Sequence, residues 1–311
     1  MGAKGLGSRA IIGEFFMELE QNLGQTWIPL ISNFFTSDQE SEEYKWLGMV
    51  PSMRKWVGGR QAAKVREQGF IIKNERFEAT LEILKSELDR DKTGQVMIRI
   101  RELAQRTNAH WGKLLTQLIL DGAAKLAYDG QFFFDTDHKE AEEAAQSNMI
   151  DLDVTLPATP TAGEMEGAIL KAVEQLLTLH DDRGEPINED ARQFLVMAGP
   201  QYLAAAAAAL KNPVVIDGGG PRTNTLVNLA GYTFELAVTS RLLTAPTKIF
   251  VFRTDSETKG FIRQEEEDVE VDAQAEGSPI EFNERKHHYG VTASRNVGYG
   301  FWQRAVQVTL V

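Results

Sequence analysis

The sequence predicts an α+β fold, and three features carry that prediction. Between Gly94 and His138 lies a stretch whose first part, Val96 to Ala127, has no proline and only two glycines. Residues 163–245 alternate short strands with helices, and residues 246–311 are rich in strands. The chain has 311 residues, 42% hydrophobic and 25% charged, which suits one large domain or two ordinary ones with a sizeable core.

Residues 1–43 mix glycine, aromatic and polar side chains. Ile11, Ile12, Phe15, Phe16 and Leu19 share one helical face, with Glu14, Glu18 and Glu20 around it. Two readings fit: an amphipathic helix at a domain edge, or an arm whose apolar residues bury on a neighbouring subunit. Trp27, Ile28, Phe34 and Phe35 follow, then an acidic turn from Ser37 to Glu43.

Residues 44–60 hold two tryptophans, three glycines, one proline and four cations. Pro51 and Gly58-Gly59 oppose a long regular element, so the indoles lack an organised local backbone to bury against. Trp and Arg are enriched at interface hot spots. Trp46, Arg54, Lys55, Trp56 and Arg60 are therefore the candidate subunit contacts. A loop packed on its own core competes with this reading. A single-strand nucleic-acid platform also uses aromatic and basic residues, but this patch is short and the chain is acidic. Phe77 to Ile83 alternates as a half-buried strand does, so 44–83 reads as a loop that leaves the body and returns as a strand.

In the long stretch, Ile100, Leu103, Ala104, Thr107, Trp111, Leu114, Leu115, Leu118 and Gly122 recur at helical spacing. A helix of about 30 residues would be roughly 45 Å long. It runs into Tyr128 to His138, where Asp129-Gly130 offers a turn and Phe132, Phe133 and Phe134 need something to dock on. Asp135, Asp137 and His138 raise a metal reading, but with no second ligand group in view, hydrogen-bonded turn residues explain them better.

Residues 139–162 read as a surface connection between lobes. Beyond it, helix is expected over 164–180, strand over 194–198, helix over 202–210, and strands over 214–216 and 234–238. Asp217 to Pro221 reads as a flexible glycine-rich loop. Gly218-Gly219-Gly220-Pro221 has neither the dinucleotide-binding spacing nor the P-loop Lys-Ser/Thr, so no phosphate cradle is expected. Lys248 to Arg253 is a further strand. Residues 255–284 hold eleven acidic residues against two basic ones, with Phe261, Ile262, Val269 and Val271 suiting a hairpin or a long ribbon with a solvated outer face. Gly298 and Gly300 allow close backbone approach. Residues 305–310 should pair into a sheet.

With no cysteine, disulfides and thiolate-bound metals are excluded, and a reducing cytoplasm suits folding. A net charge of −12 argues against nucleic-acid binding as the main task. No apolar run reaches the roughly 20 residues of a membrane span, and no secretory signal is read at the start. The five histidines come with no nucleophile elbow, zinc spacing or phosphate loop, so the expectation is no enzyme and no cofactor.

Three blocks together carry a family resemblance. Tyr44-x-Trp46-Leu47-Gly48, Pro51, Lys55-Trp56-Val57-Gly58 and Arg60 form the first. Tyr128-Asp129-Gly130-Gln131 with Phe133, Phe134, Asp135 and His138 form the second. Gly298-Tyr299-Gly300-Phe301-Trp302-Gln303 with Ala305-Val306 form the third. In this order they resemble the Mu-like phage major head subunit family (the gpT family). Phe194-Leu195-Val196 and Phe261-Ile262-x-Gln264-Glu265 are similar to shorter signatures of it, and 139–245 matches otherwise only in pattern.

The resemblance implies a major capsid protein of the Hong Kong 97 phage fold. It implies an N-terminal arm at 1–43, an extended β-hairpin loop at 44–83 and a peripheral domain with the spine helix at 84–162. An axial domain follows at 163–245, and the peripheral β-sheet returns at 246–311. Self-assembly into hexamers and pentamers around packaged DNA is the implied function, in a virion capsid built in the host cytoplasm. Scaffold, portal and decoration proteins are the implied further partners, with non-specific DNA on the inner face and no membrane. A minor head or tail structural protein, or an α/β enzyme, is the alternative.

Overall fold

The computed structural model describes residues 7–21, 25–44, 69–91, 94–139, 144–181, 184–217 and 220–311. The chain begins with helix α1 (Ser8–Gln21), a single turn α2 (Ile28–Ile31) and strands β1 (Ser32–Thr36), β2 (Ser41–Tyr44), β3 (Phe70–Lys73) and β4 (Glu75–Leu84). Short helix α3 (Lys85–Arg90) leads to the long helix α4 (Gln95–Leu120), then β5 (Met149–Leu152) and α5 (Ala162–Thr178). Next come β6 (Gln193–Ala198), α6 (Leu203–Lys211), β7 (Val214–Asp217), β8 (Gly220–Thr223), the turn α7 (Thr225–Asn228) and β9 (Thr233–Val238). Strand β10 (Lys248–Arg253), the ribbon strands β11 (Phe261–Gln274) and β12 (Lys286–Tyr299) with helix α8 (Pro279–Glu284) between them, and β13 (Ala305–Leu310) complete it.

Helix α4 starts where Asp91 accepts from the backbone N–H groups of Gln95 (3.1 Å) and Val96 (2.9 Å), satisfying two donors that have no partner inside the helix. Ile100, Ala104, Thr107, Leu115 and Leu118 of the predicted stripe are buried, and Leu103, Trp111 and Leu114 are half-buried. The helix has 26 residues, about 39 Å at 1.5 Å per residue, and is shorter than its periodicity suggests. The cause is the chain that follows. Phe134 donates its N–H to the carbonyl of Gly122 (2.8 Å) and Phe133 to that of Lys125 (3.2 Å). The Phe134 ring lies where a Cβ on Gly122 would stand, so the segment folds back onto the helix end instead of extending it.

The amphipathic helix read at residues 11–19 packs on α4, with Ile11 and Phe15 buried. Arg101 pairs with Glu14 at 2.9 Å, and Asn108 donates to the Leu19 carbonyl at 2.9 Å. In the single chain, then, this segment is covered by its own helix α4.

Two sheets organise the rest. One has the order β1-β11-β12-β4, with β1 parallel to β11 and the other pairs antiparallel. The other has the order β5-β13-β10-β6-β9, with β10 antiparallel to both neighbours. Residues Phe194 to Ala198 of β6 are all buried, which is why they read as an unbroken apolar run without alternation. The second sheet draws strands from 84–162, 163–245 and 246–311, since β10 lies between β6 and β13, and β13 pairs in turn with β5.

The sheets meet through aromatic residues. Phe133 stacks on Tyr299 at 4.6 Å and lies 5.0 Å from Phe261, while Phe134 lies 5.4 Å from Phe250. Phe132 does not join them and stays exposed, because successive side chains of the turn cannot all face one core.

The close approach expected at Gly298 and Gly300 is present. A Cβ on Gly298 would meet the Ile72 side chain at 2.3 Å, and one on Gly300 would meet the Lys259 carbonyl oxygen at 2.5 Å. The second obstacle is backbone and cannot rotate away. Gly300→Ala is expected to cost about 1–3 kcal/mol by overpacking, and an unchanged melting temperature would refute the contact.

Of the expected loop at 217–221, residues 218 and 219 lie outside the described residues, and the others belong to strands. Asp217 pairs with Gly220 and Ile216 with Pro221 in an antiparallel pair of strands. Gly220 has φ +112°, a conformation that a residue with a Cβ rarely adopts, so this glycine shapes a strand start and is not a sign of looseness.

Candidate subunit interface

The predicted contact residues Trp46, Arg54, Lys55, Trp56 and Arg60 lie outside the described residues. Their root is described. Tyr44 and Phe70 are paired partners of the β2–β3 ladder, so the chain leaves and re-enters at one point. That point is anchored. The Tyr44 hydroxyl donates to Gln264 Oε1 (2.7 Å), the Phe35 ring lies 5.4 Å from Tyr44, and Phe70 lies 6.2 Å from Tyr299.

Asp135, Asp137 and His138 come together as a turn. The Asp135 carboxylate accepts from the N–H groups of Thr136 (2.7 Å), Phe132 (3.2 Å) and Asp137 (3.2 Å). His138 is fully buried, with Nδ1 2.6 Å from Asp129 and its ring stacked on Trp302 at 3.9 Å. These contacts tie the second sequence block to the third.

A second polar node holds the base of the five-stranded sheet. Asn188, fully buried, donates to the carbonyls of Leu176 (2.7 Å) and Gln303 (2.8 Å). Its Oδ1 accepts from Arg253 (3.2 Å) and from Arg304. Arg253 also pairs with Asp190 (2.7 Å) and Asp255 (2.6 Å). Burial, and then the charge of Arg253, push the Arg304 guanidinium down to about 10.

The outward-facing apolar groups were not legible in the sequence. Ile216 on β7 is 71% exposed, and Phe282 on α8, at the tip of the β11–β12 ribbon, is 87% exposed. Phe282 belongs to no apolar period, so pattern reading passes over it. The tip that carries it is fixed from inside. Ser278 accepts from the N–H of Glu281 (3.2 Å), and the Glu281 carboxylate takes the N–H of Gly277 (2.7 Å) and the ammonium of Lys85, with the His287 ring 3.3 Å away.

A groove of about 510 Å³ runs between α4 and the β4–β12 face. Phe77, Leu81, Leu103 and Val291 supply its apolar lining, with Arg99 and Arg106 along it. Inside it, the Phe77 ring lies 4.4 Å from His110. Burial, then the charges of Arg295, Lys113 and Arg241, lower the His110 pKa to about 4. The unfolded chain, with an ordinary value near 6.5, takes up this proton first. Stability is therefore complete above about pH 6.5 and falls as the pH drops toward 4. His110→Gln is expected to lose less melting temperature than the parent between pH 7 and pH 5. Equal losses would show that His110 carries none of the acid sensitivity.

Comparison with known proteins gives concordant findings. A family model described as the Mu-like prophage major head subunit gpT matches residues 14–157 and 235–310. The Mu-like prophage FluMu major head subunit of Haemophilus influenzae is 24% identical over 275 residues, 88% of this chain. The chain spans 63% of that relative's length. The major capsid protein of Escherichia phage Mu is 32% identical over 108 residues, 35% of each protein. Among solved structures, the procapsid of bacteriophage JBD30 is similar over 98% of this chain and 75% of its own, with TM-score 0.57 and 21% identity. The mature capsid of bacteriophage PhiM1 is similar over 92% and 87%, with TM-score 0.58 and 10% identity. These likenesses show the fold, that of Hong Kong 97-type phage capsid subunits.

Proposed function

This chain belongs to the family of Mu-like prophage major head subunits, and from that premise we propose that its copies self-assemble into hexamers and pentamers of an icosahedral shell enclosing phage DNA. The family match over two long segments carries this reading. The likeness of the whole described fold to subunits of phage capsids supports it.

In this reading α4 is the spine, and residues 44–83 are the extended loop, rooted where Tyr44 meets Phe70. The axial domain is built on α5, α6, β6 and β9, with the hairpin that exposes Ile216 toward the capsomer axis. Residues 1–43 are the arm, and α1 is its inner part, docked on the spine. Heterologous contacts on several sides of one subunit generate rings and extended lattices, which is the geometry a shell needs. Apolar burial contributes about 25 cal/mol per Å² at such contacts. The chemistry is mechanical, with no catalytic step assigned to any residue. DNA contact is non-specific and confined to the inner face, and a net charge of −12 keeps the grip weak. Assembly takes place in the host cytoplasm, with scaffold, portal and decoration proteins as the partner classes.

Size-exclusion chromatography with electron microscopy of the purified protein tests the reading. Rings, sheets or shells are expected, whereas a compact monomer at high concentration would overturn it. Trp46 and Trp56 are the proposed aromatic anchors of the loop, with Arg54, Lys55 and Arg60 pairing with acidic residues of a neighbour other than those at 268–272. Trp56→Ala is expected to cut particle yield at least tenfold, and normal shells from that variant would remove Trp56 from the interface.

A further inference from the structure

The chain is strongly acidic, yet its longest helix is basic. Between Gln95 and Leu120, Arg99, Arg101, Arg106 and Lys113 face a single acid, Glu102. Arg99 and Arg106 line the groove beside α4 and are half or more exposed, in surface pairs with Glu87 (3.2 Å) and Glu102 (2.6 Å). Such exposed pairs hold little energy and exchange partners readily. Deeper in the groove lies Arg295, 4% exposed, its guanidinium 4.8 Å over the Trp111 ring and its Nε without a hydrogen bond. Its nearest carboxylate oxygen, on Glu265, is 3.7 Å away. With Arg99, Arg106, Lys113 and Arg295 against Glu78 and Glu102, the groove combines an apolar lining with an excess of positive charge, and it asks for an acidic segment that carries an apolar anchor.

The same chain holds one. Strand β11 pairs with β1 only from Phe261 to Glu265, so its outer half forms one margin of the ribbon. Along that half Asp268, Glu270 and Asp272 are exposed, and the tip beyond presents Phe282. The internal bonds of Glu281 hold this tip in one shape, which lowers the ordering cost of inserting the ring. Within one copy the tip cannot reach the groove, and Glu270 and Asp272, paired with Thr292 and Gly290, alternate to the sheet face opposite that of Val291. The groove lies beside Val291 and Ala293, while the ribbon ends at Lys286, about 20 Å along the strand at 3.4 Å per residue.

We infer that the outer end of the acidic ribbon of one copy, from Asp268 to Phe282, seats in the groove between α4 and β4–β12 of a second copy. Phe282 rests on the apolar lining near Phe77 and Leu103. Asp268, Glu270 and Asp272 face Arg99 and Arg106. The contact is heterologous, so each copy offers a ribbon to one neighbour and a groove to another. The inference rests on the self-assembly reading.

A photo-crosslinking residue at position 282 and charge reversal test it in the full chain. In the first arm, Phe282→p-benzoylphenylalanine protein is assembled and irradiated. Cross-linked peptides from 77–81 or 99–107 of another copy are expected. Capture of residue 282 of another copy, of a different surface, or of nothing in intact particles overturns the inference. In the second arm, Arg99→Glu with Arg106→Glu is expected to slow particle formation at least tenfold. Mixing in a ribbon reversed by Glu270→Lys and Asp272→Lys, on the same chain, should restore the rate to within threefold. No rescue, or no loss at the start, counts against the pairing. Parent protein that forms no particles at all would instead overturn the self-assembly reading, so the two failures are distinguishable.

Discussion

Trp302→Ala is expected to lower the unfolding free energy of the unassembled subunit by about 3–5 kcal/mol, the range for removing a large buried aromatic side chain. Trp302 is fully buried, and its ring is stacked 3.9 Å from that of His138, with an interplanar angle of 4°. His138 is in turn held by Asp129 at 2.6 Å. Removing the indole opens a cavity and also takes away one wall of the site that keeps the His138–Asp129 pair away from water. The turn that follows α4 should loosen with it. Denaturant unfolding followed by far-ultraviolet circular dichroism would show a lower midpoint at an unchanged slope. A midpoint equal to the parent's would mean that the region relaxes around the loss, and that Trp302 is not the link between the turn and the C-terminal strand.

Asn188→Ala is expected to cost a similar amount, about 3–5 kcal/mol, for a different reason. Little volume is lost, but two guanidinium groups and two carbonyls lose their shared partner. Arg253 keeps Asp190 and Asp255. Among the described residues Arg304 keeps the Ile187 carbonyl at 3.1 Å and the Thr258 hydroxyl at 3.2 Å, and its pKa is already depressed by burial. A buried charge stripped of a partner costs more than the pair was worth, because water cannot replace what was removed. Hydrogen exchange should then quicken at 187–190 and 302–304 together. Loss at only one of these segments would show that Asn188 does not couple them.

These two side chains show how unevenly the molecule could be read in advance. Trp302 stands in a block with a family signature and enough bulk to demand burial. Asn188 has neither, since a polar residue in a loop sequence gives no hint that four groups from distant positions converge on it. The long helix, the strands at 193–198, 214–217, 233–238 and 248–253, β11 and the terminal strand all follow from local pattern, whereas β12 carries no such mark. The period of the helix and the unbroken apolar runs of wholly buried strands such as β6 and β10 are both properties of neighbouring residues, readable whatever lies against them. The close approach at Gly298 and Gly300 was legible for the same reason, as a residue without a side chain leaves room for the Ile72 side chain at Gly298 and for the Lys259 backbone at Gly300.

The candidate interface divides along the same line. Tryptophan and arginine in a glycine-broken stretch mark 44–60 by type alone, and the paired root at Tyr44 and Phe70 fits a segment that departs and returns. Phe282, Ile216 and the groove beside α4 could not be seen, because exposure belongs to the assembled surface. An apolar residue in a sequence is presumed to be inside until its neighbours in space are known. By itself the sequence determined the long helix, the most apolar strands, the family and the absence of cysteine chemistry, since these depend on residue type and short-range order. The tertiary structure alone decided where α4 stops, which strands share a sheet, and which apolar and charged groups are left facing outward. Those outcomes depend on contacts between residues far apart along the chain, and such contacts leave no local period to read.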